Sequence, residues 1–190
     1  MAHSTNVKWL TGATIQFYLD KFAEEFYRRY QGQVQLSINI FGGSALLLKH
    51  PEFRAGTVDI DSFLRAVPDI PLKPFIEEFA RAYNVPYDWM NEDLCKSSSF
   101  SIRLLQRTVV YKVLYNCVEL RIVPDADQLC MKAVAGRDKD IKDLRNLAKS
   151  LRAVGFSYSD FVTTMQLVYG PNAMTLVKKS SMSVLKRHLI

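Results

Sequence analysis

Val34-Gln35-Leu36-Ser37-Ile38-Asn39-Ile40-Phe41-Gly42-Gly43-Ser44-Ala45-Leu46-Leu47-Leu48-Lys49 is followed, after a short loop, by Thr57-Val58-Asp59-Ile60-Asp61-Ser62-Phe63-Leu64. In the first run Val34, Leu36, Ile38 and Ile40 alternate with polar residues and stop at a glycine pair, the period-two pattern of a strand that ends in a turn. Ser44 then opens a short apolar helix over residues 45–49. Residues 50–56 contain a proline and a glycine and read as a loop. Residues 57–64 alternate again as a second strand, so the order is strand, turn, helix, loop, strand.

Working outward, Ile15, Leu19, Phe22 and Phe26 fall three and four apart within residues 11–30, the stripe of an amphipathic helix that packs on a sheet. Downstream, the pattern predicts a helix over 73–83, a shorter one over 89–96 and a serine-rich loop at 97–99. Two β-rich runs follow at 108–115 and 117–123. Helices are then expected over 125–135 and 138–154, the second with Ile141, Leu144, Leu147, Ala148 and Leu151 on one side and closed by Gly155. Ser159 or Asp160 is expected to cap a further helix reaching Tyr169. Gly170-Pro171 stops it before a last basic helix with Lys178, Lys179, Lys186 and Arg187. The class is α/β (α+β): a small mixed sheet with flanking helices and a helical C-terminal region. Residues 1–124 are expected to form the core and 125–190 a helical region packed on it as one compact unit.

The chain has 190 residues, 48% of them hydrophobic, enough to bury one substantial core. No run reaches the roughly 18 to 20 apolar residues of a membrane span. The opening Met-Ala-His-Ser-Thr-Asn lacks an apolar signal core, so the expected location is cytoplasmic, with no membrane partner. Cys95, Cys117 and Cys130 are odd in number and unpaired in spacing, which argues against a disulfide framework and for reduced packing residues. His3, His50 and His188 show no ligand spacing, and neither a Ser/His/Asp elbow nor a Walker-type loop is present. A formal charge of +6 would attract a polyanion without sequence-specific contact.

The chemistry centres on the second strand. Successive strand side chains point to opposite faces, so Asp59 and Asp61 emerge together while Val58 and Ile60 are expected to enter the core. Two adjacent carboxylates repel unless a cation lies between them. Oxygen ligation from one face suits Mg²⁺ (or Mn²⁺), which keeps waters and takes its other ligands from substrate phosphates. Read by itself, an Asp-x-Asp pair is better explained by a solvated strand face, and a glycine pair by a tight turn. Their combination is more informative, because Gly42-Gly43-Ser44 at a helix start lets backbone N–H groups approach a phosphate.

Phe41-Gly42-Gly43-Ser44-Ala45-Leu46 with Arg54, Thr57 and Asp59-Ile60-Asp61 resembles the signature of the nucleotidyltransferase superfamily. It is most similar to the branch of abortive-infection and type IV toxin-antitoxin nucleotidyltransferase toxins and their uncharacterised bacterial relatives. The gap from Ser44 to Asp59 is a residue or two longer than usual, consistent with an enlarged loop. Lys132 through Arg137 to Asp140 is similar to the Lys-x-x-x-x-Arg-x-x-Asp helix pair of those proteins, and residues 88–93 are similar to the uncharacterised relatives. The likeness spans roughly residues 38–151.

What the resemblance implies is a minimal nucleotidyltransferase fold that moves a nucleoside monophosphate from a nucleoside triphosphate to an RNA (tRNA) or protein hydroxyl. The toxin of a toxin-antitoxin or phage-defence system is one such role, with a cognate antitoxin as partner. Asp59, Asp61, Lys132 and Asp140 are then catalytic. Gly42, Gly43, Ser44, Arg54, Thr57 and Arg137 bind nucleotide, and Asp59 and Asp61 hold metal with Glu119 as third carboxylate.

Simpler readings remain for three of these. Glu119 fits equally a pairing with Arg121 on the solvent face. Arg137 fits a surface cation beside Asp138 and Asp140. Asp140 and Asp143 fit plain helix-dipole partners. Two rival functions also remain: a degenerate nucleotide-binding or partner-binding module of antitoxin type, and a sugar-nucleotide glycosyltransferase. The short length and the Gly-Gly-Ser turn argue against the second.

Overall fold

The computed structural model describes residues 9–190. The expectations resting on the opening residues and on His3 lie outside the described residues. The chain divides into two compact units: the first runs to Asp93 and takes in Val110–Ile122, and the second comprises Leu94–Val109 and Val123–Ile190.

The first unit is built on a mixed sheet. Helix α1 (Gly12–Tyr30) precedes β1 (Gln35–Ile40), α2 (Gly42–Lys49), β2 (Ile60–Val67), α3 (Leu72–Tyr83), β3 (Met90–Asn91), β4 (Val109–Leu114) and β5 (Val118–Ile122), and the strand order is β3-β2-β1-β5-β4. β1 runs antiparallel to β2 and parallel to β5, and β2 is parallel to β3. The predicted small mixed sheet with flanking helices is therefore the observed one.

Thr11 caps α1 by accepting from the Thr14 amide, and Thr14 Oγ1 accepts from the Thr11 amide, so two of the helix start's orphan donors are satisfied. The stripe Ile15, Leu19, Phe22 and Phe26 is fully buried. Phe22 lies edge-on to Phe75, Phe79 and Trp89, which binds α1 to α3 through an aromatic cluster. Between β4 and β5, Tyr115 and Asn116 both take positive φ, and Cys117 N–H donates to Leu114 O at 3.2 Å. That is a type I′ two-residue hairpin turn, whose twist suits an antiparallel pair.

The register sorts the faces. Leu36, Ile38 and Ile40 align with Val118, Leu120 and Ile122 on the buried side. Ser37 and Asn39 align with Glu119 and Arg121 on one flank and with Arg65 and Phe63 on the other. Because side chains alternate, these last residues share the opposite face.

Three local expectations change. The second strand begins at Ile60 rather than Thr57, because Thr57 instead exchanges both backbone hydrogen bonds with Leu10, at 2.7 and 2.9 Å. Val58 falls between that bridge and the ladder, and it is exposed rather than in the core. The expected helix over 89–96 is a buried Trp89, the short strand β3 and a 3₁₀ turn at Asp93–Lys96. There, pairing of Met90 and Asn91 with Ile60 and Asp61 overrides local helix propensity.

The second unit is helical: α4 (Arg103–Arg107), α5 (Asp125–Ala135), α6 (Asp138–Ala153), α7 (Tyr158–Tyr169) and α8 (Lys179–Leu189). Ser157 caps α7, earlier than expected, and Asp160 completes the capping box from inside the helix. α4 is too short to leave a readable period in the sequence. Cys117 and Cys130 are buried and all three cysteines are free thiols. Among the described residues no helix is long and apolar enough to cross a membrane.

Candidate functional site

β1 delivers its chain onto the start of α2 through Phe41, whose N–H donates to Asp61 O at 2.9 Å and so ties the turn to β2. Gly42 has φ 61°, a left-handed conformation that glycine adopts without steric cost. A Cβ on Gly42 would collide with the Asp61 carboxylate. One on Gly43 would collide with the Arg54 guanidinium and lie 3.3 Å from the Thr57 hydroxyl oxygen. An acid and a base rest on bare backbone; Gly42 is held to glycine by its positive φ as well as by the Asp61 carboxylate, whereas at Gly43 the neighbour is the end of the flexible Arg54 side chain.

Ser44 is buried and donates its hydroxyl to Phe41 O at 2.9 Å, which braces the turn from within. Arg54 is steadied by its Nε bond to Gly56 O at 3.0 Å. The structure therefore brings together Gly42, Gly43, Ser44, Arg54, Thr57 and Asp61. Asp59, two residues upstream of Asp61, is half-buried and accepts from Asn91 Nδ2 at 3.1 Å.

Asn91 received no role from the sequence. Its amide also donates to Asp88 O at 3.1 Å, its carbonyl accepts from the Asp93 N–H at 2.9 Å, and its partner in register is Asp61. The only signal that could have found it was the β2–β3 pairing, and a two-residue strand leaves no pattern to read.

Glu119 is not brought to this group. It aligns with Ser37, four positions before Phe41, the residue tied to Asp61, which is about 13 Å along the strands. Its carboxylate accepts from Arg121 Nη1 at 2.6 Å. Among the described residues no group of three or more His, Cys, Asp or Glu side chains gathers that could hold a metal ion. Asp61 lies at the glycine cradle and Asp59 precedes the first residue of β2, so the strand alternation expected to bring the two carboxylates to one face does not extend to Asp59. Their oxygen-only chemistry is of the kind that suits a hard cation drawing its remaining ligands from water and substrate phosphate.

In the second unit, Lys132 Nζ donates to Asp140 Oδ1 at 2.6 Å and to Asp143 Oδ2 at 2.9 Å, and all three side chains are buried. Arg137 Nε adds a bond to Asp140 Oδ2 at 2.5 Å. Burial pushes the Asp140 carboxyl upward, but the Arg137 hydrogen bond and the Lys132 charge outweigh it and hold the group below its ordinary range. Two cations face two carboxylates across the α5–α6 corner, where Gly136 caps α5 with φ 56°. This arrangement ties the helix pair together and engages two of the three Lys132 Nζ donors.

A second ion pair joins buried Asp127 to the half-buried Arg107, whose Nε donates at 2.8 Å. Near it burial raises the Cys130 thiol, and the Tyr169 hydroxyl, also raised by burial, donates to Ser99 O at 2.6 Å. Neither of these groups is poised to ionise.

A mixed sheet whose first strand feeds a glycine turn tied to an Asp-x-Asp segment is the arrangement that the sequence resemblance to nucleotidyltransferases implied. The chain belongs to the family described as nucleotidyltransferase of unknown function (DUF6036), whose family model matches residues 16–153. No curated protein and no solved structure matches the chain.

Proposed function

We propose that the protein transfers a nucleoside monophosphate from a nucleoside triphosphate to a hydroxyl of an RNA, such as tRNA, or of a protein. The observation that carries this reading is the glycine pair on which the Asp61 carboxylate and the Arg54 guanidinium rest with no room for a Cβ. Backbone N–H groups at a helix start favour phosphate, and a guanidinium fork neutralises it. In this reading Arg54 and Thr57 bind triphosphate oxygens beside the Gly42-Gly43 turn, and Ser44 holds the turn in shape. Asn91 fixes one Asp59 oxygen and leaves the other free to turn toward the substrate.

Asp59 and Asp61 would hold Mg²⁺ or Mn²⁺, which when bound supplies Lewis-acid stabilisation of charge on the phosphoryl oxygens. The acceptor hydroxyl oxygen forms a bond to the α-phosphorus, the bond to the β-phosphate bridging oxygen breaks, and pyrophosphate leaves. The hydroxyl proton passes to a carboxylate of the Asp pair or to solvent. No protein nucleophile is needed, so the rate rests on positioning and charge.

Incubation with Mg²⁺, each α-labelled nucleoside triphosphate and total tRNA or lysate protein tests this reading. Label is expected to move with the wild type and not with Asp59→Ala/Asp61→Ala. Nucleotide binding without transfer would instead favour a binding module, a reading supported by the absence of a third carboxylate beside the pair among the described residues.

The toxin role rests on the family resemblance alone. It predicts that expression slows growth and that Asp61→Asn relieves it. Unchanged toxicity in that variant would count against a metal-dependent mechanism.

A further inference from the structure

The net charge of +6 is unevenly divided. The second unit holds fourteen Lys and Arg against six Asp and Glu, a net of +8, which leaves eleven against thirteen, a net of −2, for the first. Three of the six acids, Asp127, Asp140 and Asp143, are buried in ion pairs with Arg107, Lys132 and Arg137, so little negative charge remains on the second unit's surface.

The exposed cations are ordered, and Arg152 among them donates to Ile190 O at 3.5 Å. Lys142, Arg145, Lys149 and Arg152 are exposed and follow one another at intervals of three, four and three along α6, which places them on one face. The stripe is about 15 Å long at the rise of an α-helix. α6 packs against α8, which adds exposed Lys186 and Arg187 near its end. The convergence shows at His188, which burial first and then Lys149, Arg187 and Arg145 hold below its ordinary pKa. No ion pair engages Lys142, Arg145 or Lys149 among the described residues.

We infer that the exposed faces of α6 and α8 form a binding surface for the phosphate backbone of a nucleic acid, with RNA as the acceptor. The word acceptor rests on the transfer reading above; the binding does not. Charge complementarity selects the occupant. α6 and α8 turn Leu144, Leu147, Leu185 and Leu189 inward, so the stripe has no apolar row to enter a bilayer. A protein interface would want an apolar centre among the charges, whereas a polyphosphate is bound by cations alone through counterion release.

Binding of a fluorescein-labelled single-stranded RNA, and of total tRNA, is measured against salt for the whole chain and for K142Q/R145Q/K149Q/R152Q. Affinity is expected to fall at least tenfold at moderate salt. The log–log salt slope should shrink by about 3, four contacts at roughly 0.7 each. K186Q/R187Q should act in the same direction, and circular dichroism confirms that each variant is folded.

Unchanged affinity and slope in both variants would overturn the surface. So would full displacement of RNA by polyglutamate or by anionic vesicles at equal charge, which would assign the face to an acidic protein or a membrane. Asp59→Ala/Asp61→Ala should bind RNA as the wild type does. Intact RNA binding with no label transfer would therefore sink the transfer reading alone, while transfer to a protein without RNA binding would sink this one alone.

Discussion

Two glycines carry most of the meaning at the scale of single residues. Gly42→Ala puts a side chain at φ 61°, where a left-handed backbone costs an L-residue roughly 1–2 kcal/mol, and drives its Cβ into the Asp61 carboxylate. The expected outcome is a modest fall in melting temperature with a much larger loss of nucleotide affinity, read by differential scanning fluorimetry and calorimetric titration on one preparation. Equal affinity for both proteins would remove the glycine from the site. These residues were legible because a glycine pair between a strand and a helix has few explanations and a following Asp-x-Asp narrows them. Asn91 was not, since its contact with Asp59 arises from a strand pair two residues long. Glu119 shows the reverse failure: an acid in a strand-like run fits a family pattern, but register, which the sequence does not display, places it beside Ser37 and Arg121.

Among the elements, the α5–α6 corner separates a structural from a chemical use of charge. Lys132→Met leaves Asp140 and Asp143 buried without their shared cation, and breaking a buried pair in this way costs about 3–5 kcal/mol. Urea unfolding should show that loss whether or not nucleotide is present. A variant of unchanged stability would return Lys132 to the list of substrate contacts. Asp140 adds a pH dependence of known sign. Its folded carboxyl lies below its ordinary value, so its contribution is complete above that value and fades as pH falls through the lower folded one, below about pH 4. Buried Asp127, raised by desolvation, acts in the opposite sense, so the comparison that isolates the effect is wild type against Asp140→Asn, whose stability should vary less between pH 6 and 3. A variant with the wild-type pH profile would contradict the assignment. The long elements here were readable from period and caps: α1 by its Ile15, Leu19, Phe22 and Phe26 stripe, α5 by its bounds between Pro124 and Gly136. What escaped was the segment from Trp89 to Lys96, where a distant strand decided the local conformation.

For the molecule as a whole, composition disclosed the charge but not its address. Only the division into two units shows that the positive excess belongs to the helical one, while the sheet unit, with its carboxylate pair, is slightly acidic. The cation proposed at Asp59 and Asp61 would fit that balance, since the sheet unit would otherwise meet a triphosphate with like charge. Electron paramagnetic resonance of free Mn²⁺, titrated with protein in the presence of a non-hydrolysable nucleoside triphosphate analogue, observes this directly. The wild type should deplete the free-ion signal beyond what nucleotide alone removes, and Asp59→Ala/Asp61→Ala should not. Equal depletion by the two proteins would mean that the Asp pair does not hold the metal, and the proposed chemistry would have no centre.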